Sequence, residues 1–177
     1  MEPPETIETE RLRLRLPALE DAEAIFAQYA QDAEVTKYLT WRPSVSVDET
    51  RRHLELALAA WKEGKAFHWA ITPKKDDRVL GMVGLRVDGS KVELGYVLAR
   101  AYWGRGYMTE AVRAVVNRAL NEGGVYRVWA VCDIENFASA RVLEKAGMAR
   151  EGLLRRWSVH PNISEEPRDC WCYAVTK

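Results

Sequence analysis

The chain has 177 residues, 47% hydrophobic and 29% charged, a composition that suits a globular protein long enough to bury a real core. Lysine plus arginine equals aspartate plus glutamate at 26 each, so no nucleic-acid or membrane partner is expected. The acidic start MEPPETIETE, with no run near the ~20 apolar residues of a membrane span, leads us to expect a cytoplasmic protein.

Arg11–Leu16 (RLRLRL) alternates strictly and predicts a first strand, ended by Pro17. Leu19, Ala22, Ile25, Phe26 and Tyr29 recur at helical spacing. A second helix is predicted in SVDETRRHLELALAAWKEG, with Ser46 and Glu49 as a capping box and Gly64 as the stop. Its buried stripe is Leu54, Ala57, Leu58 and Trp61. AFHWAITP and RVLGMVGLRVDGSKVELGYVLA supply three strands, with a hairpin at Asp88-Gly89. Met108, Ala111, Val112, Val115, Val116, Ala119 and Leu120 follow the i, i+3, i+4, i+7 rule of an amphipathic helix, which Gly123-Gly124 ends. VYRVWAVCD reads as a strand. ENFASARVLEKAGM reads as a short helix with Asn136 at its N-cap and Gly147 just past its end. Two strands close the chain, around Ala149–Ser158 and Asp169–Thr176. The order β, α, α, β, β, β, α, β, α, β, β, without repeats or long linkers, implies one α/β domain over 1–177. It is a mixed sheet with helices on both faces.

Cys132, Cys170 and Cys172 are an odd, small set, which points to a reducing compartment rather than a disulfide framework. No C-x-x-C pair is present, and His53, His68 and His160 show no ligand spacing, so no metal is expected. The cysteines read as packing residues and the histidines as solvated or incidental.

The segment AYWGRGYMTEA (Ala101–Ala111) carries the chemistry. A strand feeding a glycine-rich turn that opens a helix is an anion site, because the first-turn N–H groups lack intrahelical partners and the dipole adds positive potential. Gly104 and Gly106 remove the Cβ atoms that would keep a phosphate away from the backbone. Arg105 and Arg100 add positive charge. The turn is not a Walker A loop, and Thr109 occupies the third glycine of a dinucleotide fingerprint. Taken alone it is also readable as a tight connection.

The longer stretch ELGYVLARAYWGRGYMTEAV (Glu93–Val112) resembles the acyl-CoA-binding core of the GNAT N-acetyltransferases, closest to the RimJ/RimL branch. NFASARVLEKAGMAREGLLR (Asn136–Arg155) resembles a second block of that branch, and TKYLTWRPSVSVDET its first two helices and their loop. Met108 stands where the wider family often has alanine or glycine. The resemblance implies the GNAT fold, a mixed, mostly antiparallel, splayed sheet flanked by helices. It implies direct transfer of acetyl from acetyl-CoA to an amine, without a metal. On this reading the pyrophosphate lies on the N–H groups of Arg105, Gly106, Tyr107, Met108 and Thr109, with Arg100 or Arg105 reaching the phosphates. The pantetheine arm pairs with Tyr96, Val97 and Leu98, and an N–H of Val97 or Leu98 polarises the thioester carbonyl. Asn136 and Ser139 contact the pantetheine or the leaving sulfur.

The chemistry needs a neutral amine. An α-amine titrates near ~8 and lysine near ~10.4, so a base matters more for lysine. Glu93 is the base candidate, acting through water; equally, it reads as a strand glutamate paired with a neighbouring arginine. Ser139 can donate to the departing thiolate, or serve only the first turn of its helix; Tyr102 and Tyr107 are alternatives. The family places Trp41 in the loop lining the acceptor cleft. His68 points away from Trp69, toward the acceptor or toward solvent. Trp69 reads as core, Trp103 as packing for the phosphate turn, and Arg155 and Arg156 as a solvated basic patch or as contacts for an acidic acceptor or a CoA phosphate. The acceptor is a protein N-terminal amine, as for RimJ and RimL, or a small-molecule amine. Homodimers are common in the branch. The rival function is a non-catalytic acyl-CoA sensor or scaffold, which would keep the turn and need no base.

Overall fold

The alternation of Arg11–Leu16 does in space what it does in sequence. In the computed structural model, which describes all 177 residues, Leu12 and Leu14 are fully buried and Arg13 is exposed. They form strand β2 (Leu12–Arg15). On its outer side β2 pairs with β1 (Thr6–Glu8), a strand not foreseen in the acidic leader. Three residues paired on one edge are too few to show a period of two.

The first helical run is broken up. A 3-10 turn (Leu19–Asp21) leads into α1 (Ala22–Ile25), which widens into a π-helical turn at Phe26–Ala30. A short α2 (Ala33–Thr36) follows, capped by Asp32, whose carboxylate accepts from the N–H groups of Glu34 and Val35. Helix α3 (Val47–Lys62) starts on Ser46, whose Oγ accepts from the Glu49 N–H at 3.2 Å. The Glu49 carboxylate accepts from the N–H of Val45 at 2.8 Å, so the box closes one residue upstream of its usual form.

Strands β3 (Ala66–Pro73), β4 (Gly81–Asp88) and β5 (Lys91–Leu98) form an antiparallel meander. Asp88 pairs with Lys91, leaving Gly89-Ser90 as a two-residue loop with Gly89 at φ +60°. Helix α4 (Tyr107–Asn121) buries Met108, Ala111, Val112, Val115, Val116 and Ala119 of the stripe its spacing predicts, and Leu120 is partly buried beside them. A fully buried valine such as Val112 contributes ~1.5–3 kcal/mol. Then come β6 (Arg127–Asp133), α5 (Phe137–Lys145), β7 (Ala149–Val159) and β8 (Pro167–Thr176).

All eight strands share one sheet in the order β1-β2-β3-β4-β5-β6-β8-β7, and only β5 and β6 run parallel. The main core lies between the sheet and α4, α5. A smaller cluster around Ile25, Tyr29 and Leu54 packs on the other face beneath α1 and α3. The expected two-sided layout is present. No helix is long and apolar enough to cross a membrane.

Candidate active site

Strand β5 pairs with β4 along its whole length but meets β6 only at Lys91–Glu93, opposite Arg127–Trp129. Beyond Glu93 the two parallel strands part, and β6 continues against β8. The sheet therefore splits at Glu93. Successive side chains of β5 point to opposite faces. Val92, Leu94, Tyr96 and Leu98 join the core beneath α4, whereas Val97 packs on the α1 side.

A cleft of about 650 Å³ fills the split. Its wall takes in Glu93–Leu98, Gly104, Gly106, Tyr107–Thr109, Cys132, Asn136 and Ser139. Gly104 and Gly106 stand at φ +73° and +76°, left-handed conformations that favour glycine. Gly106 is the N-cap of α4 and no side chain caps that end, so the first-turn N–H groups face the cleft mouth unclaimed. Met108 is buried in the core beneath this wall.

The turn is braced by a residue the sequence reading passed over. Arg11 Nη1 donates to the carbonyl of Arg105 at 3.0 Å, and its guanidinium lies over the Tyr107 ring. Glu110, in the first turn of α4, accepts from Thr9 Oγ1 and from Arg11 N and Nε. Burial would raise the Glu110 carboxyl, but those hydrogen bonds outweigh it and hold its pKa below the usual range. Arg105 projects over the Tyr102 ring and Arg100 pairs with Asp32 at 3.7 Å; neither side chain lines the cleft. Trp103 does not pack the turn as expected. The residue is 45% exposed, and its Nε1 donates to the Leu98 carbonyl at 2.7 Å.

Opposite β5, the Asn136 Oδ1 caps α5 by accepting from the Ser139 N–H at 3.1 Å. The Tyr96 hydroxyl lies 2.7 Å from Ser139 Oγ and 3.2 Å from the Ser139 carbonyl. Burial pushes the Tyr96 phenol upward and the Cys132 thiol to about 12, so both stay protonated at neutral pH.

A second cavity of about 630 Å³ lies on the α3 face of the same strands. Gly84 and Gly95 pair directly across β4 and β5, and Gly95 leaves its part of the floor bare. His68 lies over Gly84, where an added Cβ would stand 2.4 Å from its ring. Of the three histidines read as solvated or incidental, His53 is exposed, His68 is half-buried and His160 is buried. Burial lowers the His68 pKa and favours the neutral ring. Trp41 is in the wall, on a loop pinned to the β7–β8 turn: Asn162 Nδ2 donates to the carbonyls of Thr36 and Trp41, and Arg42 to that of Pro161. Glu93 borders both cavities and is ion-paired with Arg86, its direct neighbour on β4. No cluster of His, Cys, Asp and Glu suitable for a metal is present.

The sheet splits beside a helix whose N-cap is glycine, and a second cavity lies behind the split strand. The family profile for the acetyltransferase (GNAT) domain matches residues 11–149. The chain is 35% identical over 154 residues to the uncharacterized N-acetyltransferase p20 of Bacillus licheniformis, covering 85% of this chain and 86% of that protein. A GNAT-family acetyltransferase structure from Bacillus anthracis superposes with a TM-score of 0.84 at 28% identity, over 97% and 98% of the two chains. RimL, a ribosomal L7/L12 α-N-protein acetyltransferase solved with coenzyme A, shares the fold at a TM-score of 0.86 and 21% identity, over 97% and 98%. The chain belongs to the GNAT acetyltransferase family and is an acetyl-CoA-dependent acyltransferase.

Proposed function

We propose that the chain moves acetyl from acetyl-CoA to a primary amine, with the donor in the split between β5 and β6 and the acceptor in the cavity behind it. The observation that supports this most is the parting of the strands after Glu93, directly beside the uncapped N-terminus of α4. Acetyl-CoA supplies the activated acyl group. The first-turn N–H groups from Arg105 to Thr109 hold its pyrophosphate, and the edge of Tyr96–Leu98 that β6 leaves holds its pantetheine arm, with Trp103 Nε1 giving up the Leu98 carbonyl. Arg100 and Arg105, directed elsewhere in this structure, reach the phosphates only after leaving Asp32 and Tyr102.

An N–H of Val97 or Leu98 polarises the acyl carbonyl. Ser139, set by Asn136 and Tyr96, donates to the leaving sulfur. Glu93, oriented by Arg86, takes the amine proton through water. Trp41 and His68 shape the acceptor site. The acceptor is a small-molecule amine or a protein N-terminus, the latter supported by the likeness to RimL.

The test is CoA release from acetyl-CoA across a panel of amines, with CoA affinity measured by calorimetry. Glu93→Gln should slow turnover and leave CoA affinity nearly unchanged. CoA binding without turnover of any amine would instead fit an acyl-CoA sensor.

A further inference from the structure

Coenzyme A carries its negative charge at both a diphosphate and a 3′-phosphomonoester on the ribose, and a phosphomonoester holds close to a double charge at neutral pH. The amides that open α4 suit the diphosphate, and the side chains of Arg100 and Arg105 point elsewhere. The lysines and arginines that do line the donor cleft are Lys37, Arg141 and Lys145. The Lys37 ammonium rests over the Tyr38 ring, 5.2 Å from its centre. Arg141 and Lys145 are exposed, and no carboxylate lies within ion-pair distance of either.

Ala138, Arg141, Val142 and Lys145 all belong to the cleft wall, and their helical spacing puts them on one face of α5. Glu144, between the two cations in sequence, is turned to the sheet, where its carboxylate accepts from the Tyr173 hydroxyl at 3.0 Å. Glu110, in the first turn of α4, is committed to Thr9 and Arg11. Glu93 is paired with Arg86, which leaves Glu34 on α2 as the other carboxylate of the wall. Arg113 fastens the end of α5 to α4, its Nη2 donating to the Lys145 carbonyl at 2.6 Å. That tie lies ~10 Å along α4 from Gly106, the rise of two helical turns. Positive charge without a counter-charge therefore stands on the α5 wall, close to the amides that suit a diphosphate.

We propose that Arg141 and Lys145 bind the 3′-phosphate of the coenzyme and make the protein selective for CoA over its dephospho form. This rests on the acetyltransferase reading above and assigns the nucleotide end of its donor. Arg141 offers a planar fork that suits phosphate oxygens, and Lys145 a compact point charge. The α4 amides hold the diphosphate in both forms of the coenzyme, so removal of the 3′-phosphate is felt at α5 alone.

The experiment measures the Kd of CoA and of 3′-dephospho-CoA by calorimetry at one fixed ionic strength, since exposed charges are screened by salt. Wild type should bind CoA about tenfold or more tightly than the dephospho form, the scale of hydrogen bonds to a charged group. Arg141→Gln and Lys145→Gln should each raise the CoA Kd by about threefold or more, and together by about tenfold or more. The Kd of dephospho-CoA should stay within about twofold throughout, which also reports that each variant is folded. Lys75→Gln removes an exposed charge between β3 and β4 and should move neither constant by more than about twofold. Equal affinity of wild type for the two coenzymes overturns this inference and leaves the acetyltransferase reading standing. So does a double substitution that leaves CoA binding unchanged, or that weakens both coenzymes alike. A loss from Lys75→Gln as large as that from the double substitution overturns it too, because net charge then accounts for the effect. Failure of wild type to bind either coenzyme removes the acetyltransferase reading itself.

Discussion

The Tyr96 hydroxyl sits 2.7 Å from Ser139 Oγ, a contact that spans the gap between β5 and α5 where the sheet has split. Ser139 also offers its carbonyl to the same hydroxyl at 3.2 Å. Tyr96 donates to one of these oxygens at a time. When it donates to Oγ, the serine hydroxyl hydrogen is free to point into the cleft. Tyr96→Phe should therefore lower kcat by about 3- to 10-fold, the ~0.5–1.5 kcal/mol of one hydrogen bond. Ser139→Ala should cost at least as much, and the double variant no more than Ser139→Ala alone. Additive losses in steady-state kinetics would separate the two residues.

Glu93 and Arg86 form a second pair that can be tested as a unit. Removing a general base commonly costs ~10²–10⁴-fold, and a base acting through water belongs at the lower end. Glu93→Gln should slow turnover by about 100-fold. Arg86→Gln should slow it less, because the carboxylate remains and only its orientation is loosened. Adding Arg86→Gln to Glu93→Gln should do little more, which a double-mutant cycle on kcat reads directly.

Gly106 is held at φ +76° at the start of α4. An added Cβ would meet only Arg11 Nη2, at 3.4 Å, so the penalty for Gly106→Ala is conformational rather than steric. It should cost ~1–2 kcal/mol of stability. A relaxed turn would also lose the alignment of its N–H groups, and the CoA dissociation constant should rise at least fivefold by calorimetry.

Asp133 anchors the far side of the cleft. It is 1% exposed and accepts from Arg168 Nε at 2.6 Å, Arg168 Nη2 at 3.2 Å and the Glu135 N–H at 2.9 Å. Burial would raise its carboxyl, but the hydrogen bonds from Arg168 and Glu135 outweigh it and hold the pKa below the ordinary value. A depressed carboxyl pKa contributes stability that is present above the unfolded value, near ~3.9, and lost as pH falls through the folded one. Asp133→Asn should cost about 2–3 kcal/mol at pH 7, since Arg168 keeps Glu135 as a partner. Tm should fall by roughly 5–10 °C. The gap between variant and wild type should narrow in unfolding curves taken below about pH 4.

The sequence by itself determined the elements whose signal is local. The period of α4, the two leucines of β2, the Asn136 cap and the Gly89 hairpin each depend on neighbours within a few residues. The turn at Gly104–Gly106 was legible for the same reason, because positive φ and free N–H groups are properties of a short segment. Only the tertiary structure decided the rest. Arg11 braces a turn 94 residues away, and Asn162 pins a loop 121 residues away. Glu93 borders both cavities because β5 and β6 part beside it, and nothing within β5 encodes where its neighbour leaves. The cavity on the α3 face was hidden for the same reason. Its Tyr29, Ser44 and His68 come from segments far apart in sequence, and each alone is an ordinary residue. Their burial arises only when α1, the loop before α3 and β3 come together on one face of the sheet.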